Sequence, residues 1–139
     1  MVTGPLFIDS GGFYALVSPD SEPHALAVKI MQAAAQERRR AVTTDYIIDE
    51  AATLLRARGL TKLVAEFFRL TEESQALTIE WTSPDRFAAA RKFMLKHLDQ
   101  EFSFTDCLSF VVMKELRLTD ALATDNHFRI AGFNPLLAD

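Results

Sequence analysis

Apolar residues fall along the chain in two rhythms. Short unbroken runs alternate with longer stretches in which they recur at the spacing of one helix face. Pro5-Leu6-Phe7-Ile8-Asp9 reads as a buried strand ending in an acid, and Ser10-Gly11-Gly12 as the turn after it. A short helix over Phe13–Val17 is expected to stop near Pro19. Ser21 is the expected cap of a helix reaching to about Arg39, with Leu26, Ile30 and Ala33/Ala34 on its apolar face. Ala41–Thr44 reads as a strand, Asp45–Arg58 as a helix closed by Gly59, and Leu60 to about Glu73 as the next helix. Leu77–Trp81 is a strand, and Ser83-Pro84 opens a helix with Phe87, Ala90, Met94 and Leu98 as its stripe. A loop from Asp99 to Phe104 leads to a helix capped by Ser103 or Thr105. From Cys107 to Met113 that helix is apolar apart from Ser109, so most of its faces need protein cover. Asp120–Asp125 is a strand ending in an acid, Asn126–Ile130 a helical turn, and Phe133–Leu136 a last short strand.

Strands alternating with helices predict an α/β fold with a mostly parallel sheet, organised as one domain over residues 1–139. Ligands of such sheets sit at the C-terminal ends of the strands, where Asp9 and Asp125 are both expected. Composition adds little to this and removes some alternatives. A hydrophobic fraction of 49% in 139 residues suffices for one core. The net charge of -4 carries no global sign of a nucleic-acid binder and leaves room for an acidic pocket that recruits cations. The single cysteine, Cys107, excludes an intrachain disulfide and fits a reducing compartment; its neighbours Leu108 and Phe110 favour an inert buried thiol. No apolar run approaches the roughly 20 residues that span a bilayer. Met1 to Ile8 lacks the positive charge and long apolar core of a signal peptide. The expected setting is cytoplasmic, with no membrane partner.

The chemistry is carried by acids in unusual places. Asp9 and Asp125 each end an apolar run, where an ordinary turn aspartate is the alternative. On the helix from Asp45, Ile47, Ala51 and Leu54 share one face, with Glu50 at its edge beside Leu54. Asp49 falls with Thr53 and Arg56 on the polar face, so Glu50 is the acid turned towards the core. Asp106 lies in the first turn of the most apolar helix, where it is either a partner of the helix dipole or part of a site. Four such acids brought together repel one another and lose hydration. Hard divalent cations such as Mg²⁺ or Mn²⁺ compensate, because they take oxygen ligands. A metal site follows only if the four converge.

The order of these motifs resembles the PIN-domain nuclease family. The match consists of a strand ending in Asp9-Ser10, a helix with Glu50, then Ser103-Phe104-Thr105-Asp106, then Ala123-Thr124-Asp125-Asn126-His127-Phe128. The chain is similar especially to the small single-domain prokaryotic members, the VapC-type toxins among them, from about Leu6 to Leu136. The resemblance implies a three-layer α/β/α sandwich and a metal-dependent ribonuclease. It implies that Asp9, Glu50, Asp106 and Asp125 form an acidic quartet holding one or two Mg²⁺ or Mn²⁺ ions. Ser10 and Thr105 match the family's small hydroxyl residues, and Asp99 an acid often found before the third motif. Gly11-Gly12 departs from the bulkier residues usual there. The products implied carry a 5′-phosphate and a 3′-hydroxyl. Arg38, Arg39, Arg40, Arg56, Arg58, Lys62 and Arg129 are candidates for gripping RNA, with solvated surface arginine as the plain alternative. A small antitoxin protein covering the cleft with an amphipathic helix is an implied partner, and a homodimer is open.

Other residues take plain readings. His127 is expected to be packed or hydrogen-bonded after a turn, with contact to substrate or metal as the alternative; Phe110 and Phe128 are expected in the core. An aspartyl-phosphate phosphatase needs a second acid after the first strand, and Asp9-Ser10-Gly11 lacks it. A dinucleotide oxidoreductase needs Gly-x-Gly-x-x-Gly, which Ser10-Gly11-Gly12-Phe13 does not supply. The competing functions are a non-catalytic PIN-like binding module and a stand-alone RNA-processing nuclease without an antitoxin.

Overall fold

A computed structural model describes residues 4–139. Five strands form one sheet in the order β3-β2-β1-β4-β5, and every pairing is parallel. They are β1 (Leu6–Ile8), β2 (Ala41–Thr44), β3 (Leu77–Glu80), β4 (Asp120–Leu122) and β5 (Asn134–Pro135). Phe7 sits opposite Val42 on one side and Ala121 on the other, so β1 is the centre of the sheet. A strand covered on both faces has no polar side, which is why Leu6-Phe7-Ile8 is an unbroken apolar run.

Seven helices cover the sheet: α1 (Ser10–Val17), α2 (His24–Gln36), α3 (Asp45–Ala57), α4 (Thr61–Glu73), α5 (Pro84–Lys96), α6 (Phe104–Glu115) and α7 (His127–Ile130). The chain steps from β1 to β2 to β3 in one direction, then returns to β4 and β5 on the other side of β1. Right-handed crossovers therefore put α1 to α4 on one face and α5 to α7 on the opposite face. The packing agrees, with α1 against α2, α3 and α4, and α5 against α6. The result is the three-layer sandwich. Among the described residues, no helix is long and apolar enough to cross a membrane.

The elements differ from the sequence expectations at their ends. The glycine pair is not a turn: α1 starts at Ser10, directly after the strand, and contains both glycines. A Cβ on Gly12 would lie 2.1 Å from the carbonyl oxygen of Leu122, so this position is glycine because α1 presses on β4. Ser21 does not cap α2, whose N-cap is Pro23, and α2 ends at Gln36 rather than Arg39, with Arg38 in the left-handed region at φ 57°. β4 ends at Leu122, three residues before Asp125, so that acid lies in the following turn rather than on a strand. The buried stripe of α3 is Ile47, Ala51 and Leu55, with Leu54 on its flank. Ser103 is the cap of α6, and the helix is buried from Asp106 through Phe110 and again at Val112 and Met113.

Candidate metal centre

The sheet's chain direction reverses beside β1, which leaves a crevice at the C-terminal ends of β1 and β4. Asp9 is the first residue past β1 and the N-cap of α1, with its side chain making no cap bond. Its backbone N–H donates to the Leu122 carbonyl at 3.1 Å, so the β1–β4 pairing continues to this residue. Only 5% of Asp9 is exposed, and its Oδ1 is buried with no hydrogen-bond partner among the described residues. Burial pushes its carboxyl up to about 8; the backbone N–H of Ser10 counters this, and the charges of Asp106, Glu50 and Asp125 add to it. The other three acids thus lie within electrostatic reach of Asp9.

The chain holds each of the other three differently. Glu50 follows from the helix-face geometry: it is half-buried, its neighbour Asp49 is exposed, and its Oε1 accepts from the Ser10 hydroxyl at 2.5 Å. Asp106 closes a capping box, in which its backbone N–H donates to Ser103 Oγ and its Oδ2 accepts from the Ser103 N–H, both at 3.0 Å. It is therefore a helix cap and a member of the cluster at once. Asp125 Oδ1 accepts from the backbone N–H of His127 at 2.8 Å, the local turn bond that aspartate favours.

His127 is packed and hydrogen-bonded, as expected, and it sits against two of the acids. Its Nδ1 lies 3.2 Å from both Asp106 Oδ2 and Asp125 Oδ2, and its ring meets Phe102 edge-on. Carboxylate oxygens accept, so the tautomer with its proton on Nδ1 bridges the two acids. Asp106, Asp125 and His127 each offer an atom able to ligate a metal, and these atoms lie within 4.8 Å of one another. The signal was its position two residues after Asp125 in the same motif.

Several expected participants lie elsewhere. Asp99 is exposed in the turn after α5, with no hydrogen bond or ion pair to the cluster among the described residues. Thr105 is half-buried, and its carbonyl accepts from Ser109 Oγ at 3.0 Å. Arg38, Arg39 and Arg40 precede β2, and residues before a parallel strand sit at the sheet's N-terminal edge, opposite the acids. Arg39 is there an ion-pair partner of Asp120 at 3.2 Å and a donor to the Gly4 carbonyl at 2.7 Å; Arg40 donates to the Gln75 carbonyl at 3.0 Å. Arg56 is exposed near the far end of α3. Arg58 instead folds back over the Tyr14 ring, 4.8 Å from its centroid. It borders a groove of about 450 Å³ that reaches Gly11 and Thr124. Arg129, next to the His127 turn, donates to Asn126 Oδ1. Cys107 is buried beside Asp106, and burial pushes its thiol up to about 11, which keeps it inert.

A parallel sheet carrying buried acids at its C-terminal edge defines a class before it defines a protein, and the comparisons agree on that class. The PIN domain family model matches residues 6–134, and the chain belongs to this family. It is 28% identical over 130 residues to the 23S rRNA-specific endonuclease VapC20 of Mycobacterium tuberculosis, covering 92% of this chain and 95% of that one. It is 32% identical over 125 residues to a VapC ribonuclease of Archaeoglobus fulgidus, covering 88% of this chain and 78% of that one. The crystal structure of the Mycobacterium tuberculosis VapC20, described as a sarcin-ricin loop cleaving toxin, superposes with a TM-score of 0.82 at 25% identity. That alignment covers 92% of this chain and 95% of the other.

Proposed function

We propose that this chain is a metal-dependent endoribonuclease in which Asp9, Glu50, Asp106 and Asp125 hold one or two Mg²⁺ or Mn²⁺ ions. One observation carries the reading: a buried Asp9 oxygen without a donor, facing three further carboxylates. Like charges gathered out of water need a positive partner. The described residues place no arginine or lysine on Asp9, and an all-carboxylate donor set suits a hard divalent cation. Such a cation, when bound, makes water more acidic and offsets charge developing on a scissile phosphate.

The chain's own residues fix the geometry. The Ser10 hydroxyl orients Glu50, the Ser103 N–H orients Asp106, and His127 bridges Asp106 and Asp125. Outer partners of this kind hold ligand carboxylates in place. No carboxylate is needed as a nucleophile; the four position the attacking water, and cleavage leaves a 5′-phosphate and a 3′-hydroxyl. The naming of a relative as a toxin supports the toxin role here too, with a small antitoxin covering the carboxylate end of the sheet.

The test is cleavage of single-stranded RNA with Mn²⁺ or Mg²⁺ present or chelated. Asp106→Asn keeps an oxygen for the capping box but loses the charge, and activity falls by at least about a hundredfold, the scale set by removing one well-placed electrostatic group. Asp49→Asn, on the solvated face, leaves activity intact. Equal losses from both substitutions, or cleavage that persists in chelator, would sink the reading.

A further inference from the structure

The carboxylate cluster continues outward into a row of aromatic rings. Tyr46 lies one helical turn before Glu50 on α3, and Phe104 is the first residue of α6, two before Asp106. Their ring centroids are 5.9 Å apart, and Phe87, from the first turn of α5, lies 5.0 Å beyond Phe104. Trp81 is the first residue past β3, at the same C-terminal edge of the sheet. The Asp45 carboxylate fixes its loop, accepting from the N–H of Thr82 at 3.1 Å and from its hydroxyl at 2.6 Å. Trp81 is 69% exposed and Phe87 41%, so both rings are open to solvent.

We infer that Tyr46, Phe104, Phe87 and Trp81 form a stacking platform for the bases of a single-stranded stretch of the RNA flanking the scissile phosphate. This rests on the nuclease reading. Single-stranded RNA is held by stacking unpaired bases on aromatic faces, a mode that tolerates many sequences. Tyr46 and Phe104 stand on the helices that carry Glu50 and Asp106, so bases stacked there would flank the scissile phosphate. Charge here does not compete for the role: the cation beside Trp81, Arg86, is taken up by Glu80 at 2.8 Å and Glu115 at 3.0 Å. With Arg86 held by its two carboxylates, stacking is the grip the rings offer.

Trp81 is the chain's single tryptophan, so its emission reports the platform directly. Titrating a short single-stranded RNA into the Asp106→Asn variant with Mg²⁺ quenches that emission in step with the anisotropy of labelled RNA. An oligomer of the same length with abasic sites does not quench it. In steady-state cleavage, Trp81→Ala and Phe87→Ala each raise KM about tenfold, the scale of one lost base stack. Both change kcat little, and Leu95→Ala, exposed further along α5, changes neither. Cleavage with unaltered KM, or RNA binding with unaltered emission, overturns the platform and leaves the nuclease reading standing. Absence of any cleavage by the wild-type chain sinks the nuclease reading, and the emission titration then decides the platform alone. Emission that follows protein concentration instead of RNA, with a dimer lost in Trp81→Ala, assigns the rings to a second copy and overturns the platform too.

Discussion

Asp9 is where folding and chemistry pull against each other. Its carboxyl ionises at 3.8 ordinarily and near 8 in the folded chain, chiefly because it is buried. Between those values the folded state holds a proton that the unfolded state has released. Metal-free stability therefore falls as pH rises through that window, and the penalty is complete above it. Asp9→Asn removes this titration. Urea midpoints measured in chelator at about pH 5 and about pH 8 shift in favour of the variant at the higher pH; parallel profiles would show that burial does not govern Asp9. Mn²⁺ reverses the penalty, because it binds the folded chain and neutralises the cluster. It raises Tm at neutral pH in the wild type and raises it less in Asp9→Asn. An unchanged Tm at millimolar Mn²⁺ counts against the metal centre itself.

At the scale of elements, α1 shows what a linear pattern can and cannot carry. The strand before it was legible because Leu6-Phe7-Ile8 is apolar on both faces and stops at an acid. The helix start was not, because two adjacent glycines read as a turn. Their real cause is a contact 110 residues away in the chain, where β4's Leu122 carbonyl leaves Gly12 no space for a Cβ. Gly12→Ala should accordingly cost at least about 3 kcal/mol, since the obstacle is backbone and cannot rotate aside. Gly59→Ala faces no neighbour and is strained only by its φ of 73°, for about 1 kcal/mol. Chemical denaturation of both variants checks the order; equal costs would mean that α1 can move off the sheet. Helix periodicity did carry the Glu50 and Asp49 assignment, because that choice depends only on angle about one axis. The bridge from His127 to Asp106 was beyond such reasoning, since it joins two elements across the sheet's edge.

Across the sheet, the clustered acids and the arginine triplet lie at opposite ends of the strands. Asp9 follows β1, whereas Arg38, Arg39 and Arg40 precede β2, and Arg39 holds Asp120 at that end. This division was available from sequence: Asp9 follows a strand, and the three arginines precede one. The direction of the parallel strands puts the triplet at the edge away from the acids. Of the expected basic residues, Arg58, along its groove, and Arg129, beside His127, lie towards the acids. Two phosphate contacts give a slope of log affinity against log salt of about -1.4 for a single strand. A grip that used the N-terminal arginines as well would approach about -3.5. Binding of a single-stranded RNA to the Asp106→Asn variant, at fixed Mg²⁺ and varied KCl, separates the two. Arg58→Ala lowers the slope by about 0.7, and Arg38→Ala with Arg40→Ala leaves it unchanged. Arg39 is set apart from this test, because its loss strands the half-buried Asp120 and weakens the fold without touching RNA. A steep slope that collapses in the Arg38/Arg40 double variant would mean that RNA wraps both ends of the sheet. A shallow slope leaves the proposed metal ions and aromatic row to supply most of the affinity, which suits a chain whose net charge is -4.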